Sequence, residues 1–78
     1  MTNTSELPDL QAVKSSNIRA MGFQDSQMVV EFMNGGIYSY ANVSRSVYHE
    51  IVTAESVGSV FIRLVKSNPT AYPFTRLN

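Results

Sequence analysis

Two tyrosines stand two residues apart in the stretch EFMNGGIYSYANVS, residues 31–44. Alternate residues of a strand point to one face, so an extended backbone here sets Tyr38 and Tyr40 side by side. Aromatic pairs on an open sheet can stack nucleobases, and nearby cations can meet the phosphates. Arg19 is the first candidate cation, because a planar guanidinium both stacks on a base and forks onto a phosphate. Arg63, Lys66 and Arg76 are further candidates. Each also has a structural reading. Strand tyrosines pack well against cross-strand neighbours, Arg19 can pair with Glu31, and Arg63 and Lys66 suit the solvated side of a helix.

Catalytic chemistry finds little support. His49 is the only histidine, and the chain has no cysteine. Neither a metal-ligand set nor a thiol nucleophile can be assembled. Ser15, Ser16, Ser44 and Ser46 have no recognisable base and orienting partner. Glu31 is a lone strand carboxylate, without the second carboxylate that acid–base work needs. The run Asn34-Gly35-Gly36 is a turn and not a phosphate loop, since no helix follows it. A non-enzymatic chain without metal or cofactor is expected.

The elements that must position these residues follow from length and periodicity. A chain of 78 residues, 44% apolar and 15% charged, has room for one small folded domain. Six basic and six acidic residues cancel. That balance argues against a long polyanion held by many phosphate contacts, and leaves room for a small ligand or a short single strand. No apolar run approaches the ~20 residues that span a bilayer, so no membrane is expected as a partner. The beginning MTNTSELPDL lacks the basic and apolar regions of a secretory signal, which makes the cytoplasm the expected compartment.

Residues 1–12 read as a flexible polar arm, and 13–78 as the domain. Strands are expected over Asn17–Phe23, Met28–Met33 and Ile37–Val43, with QDSQ and Asn34-Gly35 as turns. A two-residue type I′ loop at Asn34-Gly35 sets Phe32 opposite Ile37, Glu31 opposite Tyr38, and Val29 opposite Tyr40. One face then carries Met28, Val30, Phe32, Ile37, Ala41 and Val43, the expected core. The other carries Val29, Glu31, Met33, Tyr38, Tyr40 and Asn42. A slip of one residue would exchange these assignments. For the first hairpin, an even loop sends Arg19, Met21 and Phe23 to the core face. An odd loop sends them to the tyrosine face, with Arg19 near Glu31 and Tyr38. The odd loop spares the core an arginine and is preferred.

After Val43 the period lengthens to that of a helix. Ser44 is the N-cap of a first helix carrying Val47, Ile51 and Ala54 on one stripe. A second follows from Ser56, with Val57, Val60, Phe61, Leu64 and Val65 as an amphipathic stripe and Arg63 and Lys66 away from it. Asn68-Pro69 ends it. The tail AYPFTRLN is extended, and Pro73 restricts it to an edge strand or packed arm. The expected fold is α+β: a three-stranded antiparallel meander with two helices on one face, in the order β-β-β-α-α, plus a C-terminal arm.

Ser15-Ser16-Asn17-Ile18, the Tyr38 and Tyr40 pair, Val47-Tyr48, and Ser56, Gly58 and Phe61 together carry a resemblance to the KTSC domain over Val13 to Leu77. That small domain is found at the C-terminus of some lysyl-tRNA synthetases and in free-standing bacterial and phage proteins. The chain departs from the usual pattern at Ser44 (proline), Ile62 (asparagine) and Val65-Lys66 (isoleucine-arginine). The resemblance implies a binding module near RNA or nucleotide chemistry. With the residues above, it leads to an expected nucleotide or short single-stranded RNA ligand. In a phage-type protein, one form would be sequestration of a host nucleotide signal. Because so small a protomer is not expected to enclose such a ligand, a homo-oligomer with a shared site is anticipated. The alternative is a protein-interaction module docking on a host protein through a sheet edge or the C-terminal arm.

Overall fold

The computed structural model describes residues 8–78. Part of the expected N-terminal arm, residues 1–7, lies outside them. The described chain forms one antiparallel sheet of five strands, not three, in sequence order: β1 (Gln11–Ala12), β2 (Ile18–Gln24), β3 (Gln27–Phe32), β4 (Ile37–Tyr40) and β5 (Phe74–Arg76). Between β4 and β5 run α1 (Arg45–Val52), α2 (Val57–Phe61) and a π-helical continuation of α2 over Ile62–Lys66. The two extra strands are short edge elements. β1 pairs Gln11 with Met21, and β5 pairs Thr75 with Ser39. β5 takes the edge-strand option open to the tail beyond Pro73, whereas β1 has neither the length nor the alternation that announces a strand in sequence.

Both hairpins differ from expectation, and each difference has a local cause. The β2–β3 loop is the two-residue one. Gln24 pairs with Gln27, and Asp25 and Ser26 between them have φ of 53° and 65°, as a type I′ turn requires. The loop is therefore even, against the preferred reading, and Met21 and Phe23 share the core face with Val30 and Met28. Arg19 escapes burial through a register shift between Ile18 and Ala20. This bulge re-aims a single side chain to the outside.

The β3–β4 loop is the three-residue one. The Gly35 N–H donates to Phe32 O at 2.9 Å, and the Phe32 N–H donates to Gly36 O at 2.9 Å. Only Gly35 takes positive φ, at 96°. This is a type I turn closed by a left-handed glycine, the next most common hairpin connection. It moves the register by one residue. Glu31 faces Ile37, Val30 faces Tyr38, and Met28 faces Tyr40. The tyrosines consequently join Met28, Val30 and Phe32 on the helix-covered face, and Ile37 takes the reverse. Burial decides between the registers, since the observed one covers two large aromatic rings.

The core lies between this front face and the helices. Ile18, Met21, Met28, Val30, Val43, Ile51, Phe61 and Val65 are all fully buried. Ser44 caps α1 as expected, its hydroxyl accepting from Val47 N at 3.1 Å. Ser56 precedes α2, but its hydroxyl bonds Ser59 instead of the helix backbone. Among the described residues no helix is long and apolar enough to cross a membrane.

One consequence concerns the turn. Asp25 and Ser26 sit in the left-handed region, which costs a non-glycine residue about 1–2 kcal/mol. Replacing the pair by Asn-Gly should raise stability by about 1 kcal/mol and Tm by roughly 4–8 °C. A thermal melt followed by circular dichroism checks this.

Candidate functional site: an aromatic cleft beneath the second helix

The front of β3, β4 and β5 and the overhanging second helix enclose an open cleft of about 640 Å³. Its wall is a chain of ring contacts. Tyr40 meets Phe61 edge-on at 5.3 Å between centroids, and Phe32 meets Tyr38 edge-on at 5.6 Å. Phe74 lies 5.8 Å from both tyrosines. Tyr38 is half-buried, whereas Tyr40 is only 4% exposed. The pair therefore divides its work: Tyr40 is largely core, and Tyr38 offers more surface. Phe74, 55% exposed, and Met33 and Ile62 form the apolar mouth.

The helix reaches the cleft because it changes pitch. Phe61 and Val65 are buried and face inward. In a continued α-helix Lys66 would lie about 140° around from Phe61, at 3.6 residues per turn. Over Ile62–Lys66 the bonding lengthens instead, and the Ser67 N–H donates to Ile62 O five residues back at 3.0 Å. Five-residue spacing draws Lys66 towards the Phe61 face. Its Nζ stands 5.9 Å from the Phe32 ring centre and lines the cleft. Such π-helical turns occur often at functional sites. Lys66 was expected to lie away from the apolar stripe, and the altered pitch reverses that. Arg63 does not line the cleft and remains exposed.

The other two cations part company. Arg76 stands opposite Tyr38 in the sheet, with its guanidinium carbon 5.7 Å from that ring's centre. Arg19 is not among the lining residues. Its Nε lies 3.6 Å from Glu31 in an exposed ion pair, the structural reading given above. Surface pairs of this kind contribute about 0–1 kcal/mol. Of the six expected site residues, the structure thus brings together Tyr38, Tyr40 and Lys66 in the cleft, with Arg76 against Tyr38. It sets Arg19 and Arg63 apart.

Several contributors carried no chemical signal in the sequence, namely Phe32, Phe61, Phe74 and Asn17. For Asn17 and Phe61 the clue is the pair of short runs that resemble family markers; Phe32 and Phe74 have none. Gly58 packs so closely on the turn before β2 that a Cβ there would meet Ser15 Oγ at 3.0 Å and Asn17 Nδ2 at 3.8 Å. Ser15 Oγ cannot move freely, because it accepts from the N–H groups of Asn17 and Ile18, each at 3.2 Å. The glycine lets the helix approach, and Asn17 is left on the cleft rim. Among the described residues, no aspartate or glutamate lines the cleft.

Burial raises the phenol pKa of Tyr40, with a smaller contribution from neighbouring Tyr38, and burial alone raises that of Tyr48. The folded state thus disfavours both phenolates. The stability this represents is present below the unfolded phenol pKa of about 10 and is lost as pH rises through the higher folded values. Alkaline unfolding should begin above about pH 10, and its midpoint should move upward in Tyr48→Phe. Melts across that range, read with phenolate absorbance, check this.

A five-stranded antiparallel sheet carrying two helices on one face, with an aromatic cleft under the second, defines a small α+β domain. The chain belongs to the KTSC domain family, whose sequence pattern matches residues 14–68. It is similar to an uncharacterized protein of Stutzerimonas stutzeri strain A1501, at 32% identity over 69 residues covering 86% of this chain and 94% of that protein. In fold it resembles the crystal structure of a KTSC domain protein from Yersinia pestis, with a TM-score of 0.81 and 23% identity over 92% of this chain and all of that one.

Proposed function

We propose that this KTSC domain is a non-enzymatic binding module whose aromatic cleft takes a nucleobase-containing ligand. The observation that carries the reading is the lining itself: Phe32, Tyr38 and Phe74 as ring surfaces, Lys66 as a cation, and no carboxylate among the described residues. A cleft of 640 Å³ falls within the roughly 300–1,000 Å³ of small-molecule sites. Each base stacked on an aromatic ring is worth about 1–3 kcal/mol. Lys66 meets phosphate, Arg76 supports it from the Tyr38 side, and Asn17 offers an amide to a base edge. A cationic ligand would find no counter-charge among the lining residues.

Zero net charge favours a mononucleotide, a cyclic dinucleotide or a short single strand over a long polyanion. Sequestration of a nucleotide signal is the concrete form this takes in a free-standing protein. One chain already holds a cleft of the required size, so ligand enclosure no longer demands a shared site between subunits. A thermal-shift panel of linear and cyclic nucleotides and short RNAs tests the reading. Ligands in excess of their Kd by about 100-fold should add roughly 2.7 kcal/mol of stability. A panel that leaves the melting curve unmoved would sink the nucleotide reading and turn attention to a host protein at the sheet edge.

A further inference from the structure

The outer edge of β5 is open, and its pattern is complementary to itself. Pro73 O accepts from Ala41 N at 2.9 Å, and Leu77 N donates to Ile37 O at 2.7 Å. With Thr75 opposite Ser39, the odd-numbered residues of the strand direct their backbone groups at β4. By the alternation of antiparallel ladders, Phe74 and Arg76 direct their N–H and C=O groups outward. Neither is proline; the edge is short and carries the charged Arg76 with Pro73 at its start, but among the described residues no bulge interrupts it. Two of the four large apolar residues exposed among those described, Phe74 at 55% and Leu77 at 38%, lie on or beside this strand. The strand is nonetheless held firmly in place. Asn78 clasps the β3–β4 turn, donating from Nδ2 to Gly35 O at 2.8 Å and accepting at Oδ1 from Ile37 N at 3.0 Å.

We infer that two copies of this chain pair through β5, antiparallel about a two-fold axis at Thr75, to make one continuous ten-stranded sheet. The occupant is a second copy because the edge matches its own reverse. Centred on Thr75, the ladder sets Phe74 of each copy opposite Arg76 of the other. That forms four outward backbone hydrogen bonds and places a guanidinium beside each exposed ring on the front face. On the reverse face it sets Leu77 of each copy against Pro73 of the other. Zero net charge removes long-range repulsion between copies. Phe74 walls the cleft, so Arg76 of the second copy reaches the mouth of the first copy's site, and the two clefts lie side by side on one surface. The pairing itself rests on the edge and not on the identity of any ligand.

Thr75 supplies the test, because it faces its own copy across the axis as a non-hydrogen-bonded pair. Such pairs have Cα atoms about 4.5 Å apart, within disulfide reach. The chain has no cysteine, so in Thr75→Cys any disulfide must join two copies. Native mass measured without ligand over a concentration series should rise to twice the 8.7 kDa of one chain. Thr75→Cys should form a cross-linked dimer under mild oxidation. Thr75→Glu, with two carboxylates face to face at an exposed position, should remain a monomer with an unchanged circular dichroism spectrum. A wild-type mass of one chain at every concentration, or a Thr75→Glu protein that still dimerises, would overturn the inference. Because no nucleotide is present in any arm, its failure leaves the ligand reading standing, and the reverse holds too.

Discussion

Tyr40→Ala should abolish or severely weaken the cooperative fold. The ring is 4% exposed, wedged against Phe61 at 5.3 Å and Phe74 at 5.8 Å, and it belongs to the core cluster with Met28 and Val43. Truncating a large buried aromatic costs about 3–5 kcal/mol, transfer and cavity together. The core of a domain this small rarely supplies more than about 3–5 kcal/mol in total. The expected result is a Tm lowered by roughly 12–40 °C, or no resolved transition. Tyr40→Phe keeps the ring and should melt within a few degrees of the wild type. Chemical denaturation of both variants decides the matter. An alanine variant as stable as wild type would mean that Tyr40 is not core. Ligand loss on Tyr40→Ala would therefore say nothing about stacking, and Tyr38, half-buried at the cleft, is the residue on which to test it.

Lys66→Glu should lose nucleotide affinity by about 10–100-fold, since a hydrogen bond to a charged group contributes about 1.5–3 kcal/mol. Charge reversal also cuts stability modestly. Glutamate in the last turn opposes the helix dipole, by about 0.3–1 kcal/mol, and the contact with Phe32 is lost. Arg63→Glu separates the two effects. It lies on the same π-helical segment and suffers a similar dipole penalty, but it does not line the cleft. The expected pattern is comparable melting for the two variants with binding lost only in Lys66→Glu, measured by titration calorimetry at two salt concentrations. Equal affinities in the two variants would remove Lys66 from the site.

The contrast between Lys66 and Arg63 shows where sequence reasoning stopped. On an ideal helical wheel both lie off the stripe of Val57, Phe61 and Val65, and nothing in Ile62–Lys66 announces a change of pitch. The wider turn becomes visible only once the structure shows Val65 packed in the core and the Ser67 N–H bonded to Ile62 O. The tyrosines tell a similar story. Asn34-Gly35 correctly marked a hairpin, yet one glycine in the left-handed region serves a three-residue loop as well as two such residues serve a two-residue loop. The choice between them moves every side chain of β4 to the opposite face. Arg19 adds a third case. Loop parity alone would have buried it, and a bulge no pattern announces turned it out to Glu31.

What the sequence by itself determined is the α+β class, the three central strands, the capped first helix, the family, and the residue types from which a site could be made. Those features are local or periodic, set by side chains a few positions apart. Only the tertiary structure decided which types meet. Burial of ring area chose the tyrosines' face. Close approach at Gly58 brought Ser15 and Asn17 to the helix, and pairing with β4 turned the C-terminal arm into a fifth strand with an open edge. These outcomes depend on packing between segments far apart in the chain, where a shift of one residue changes the partner and the energy of every contact.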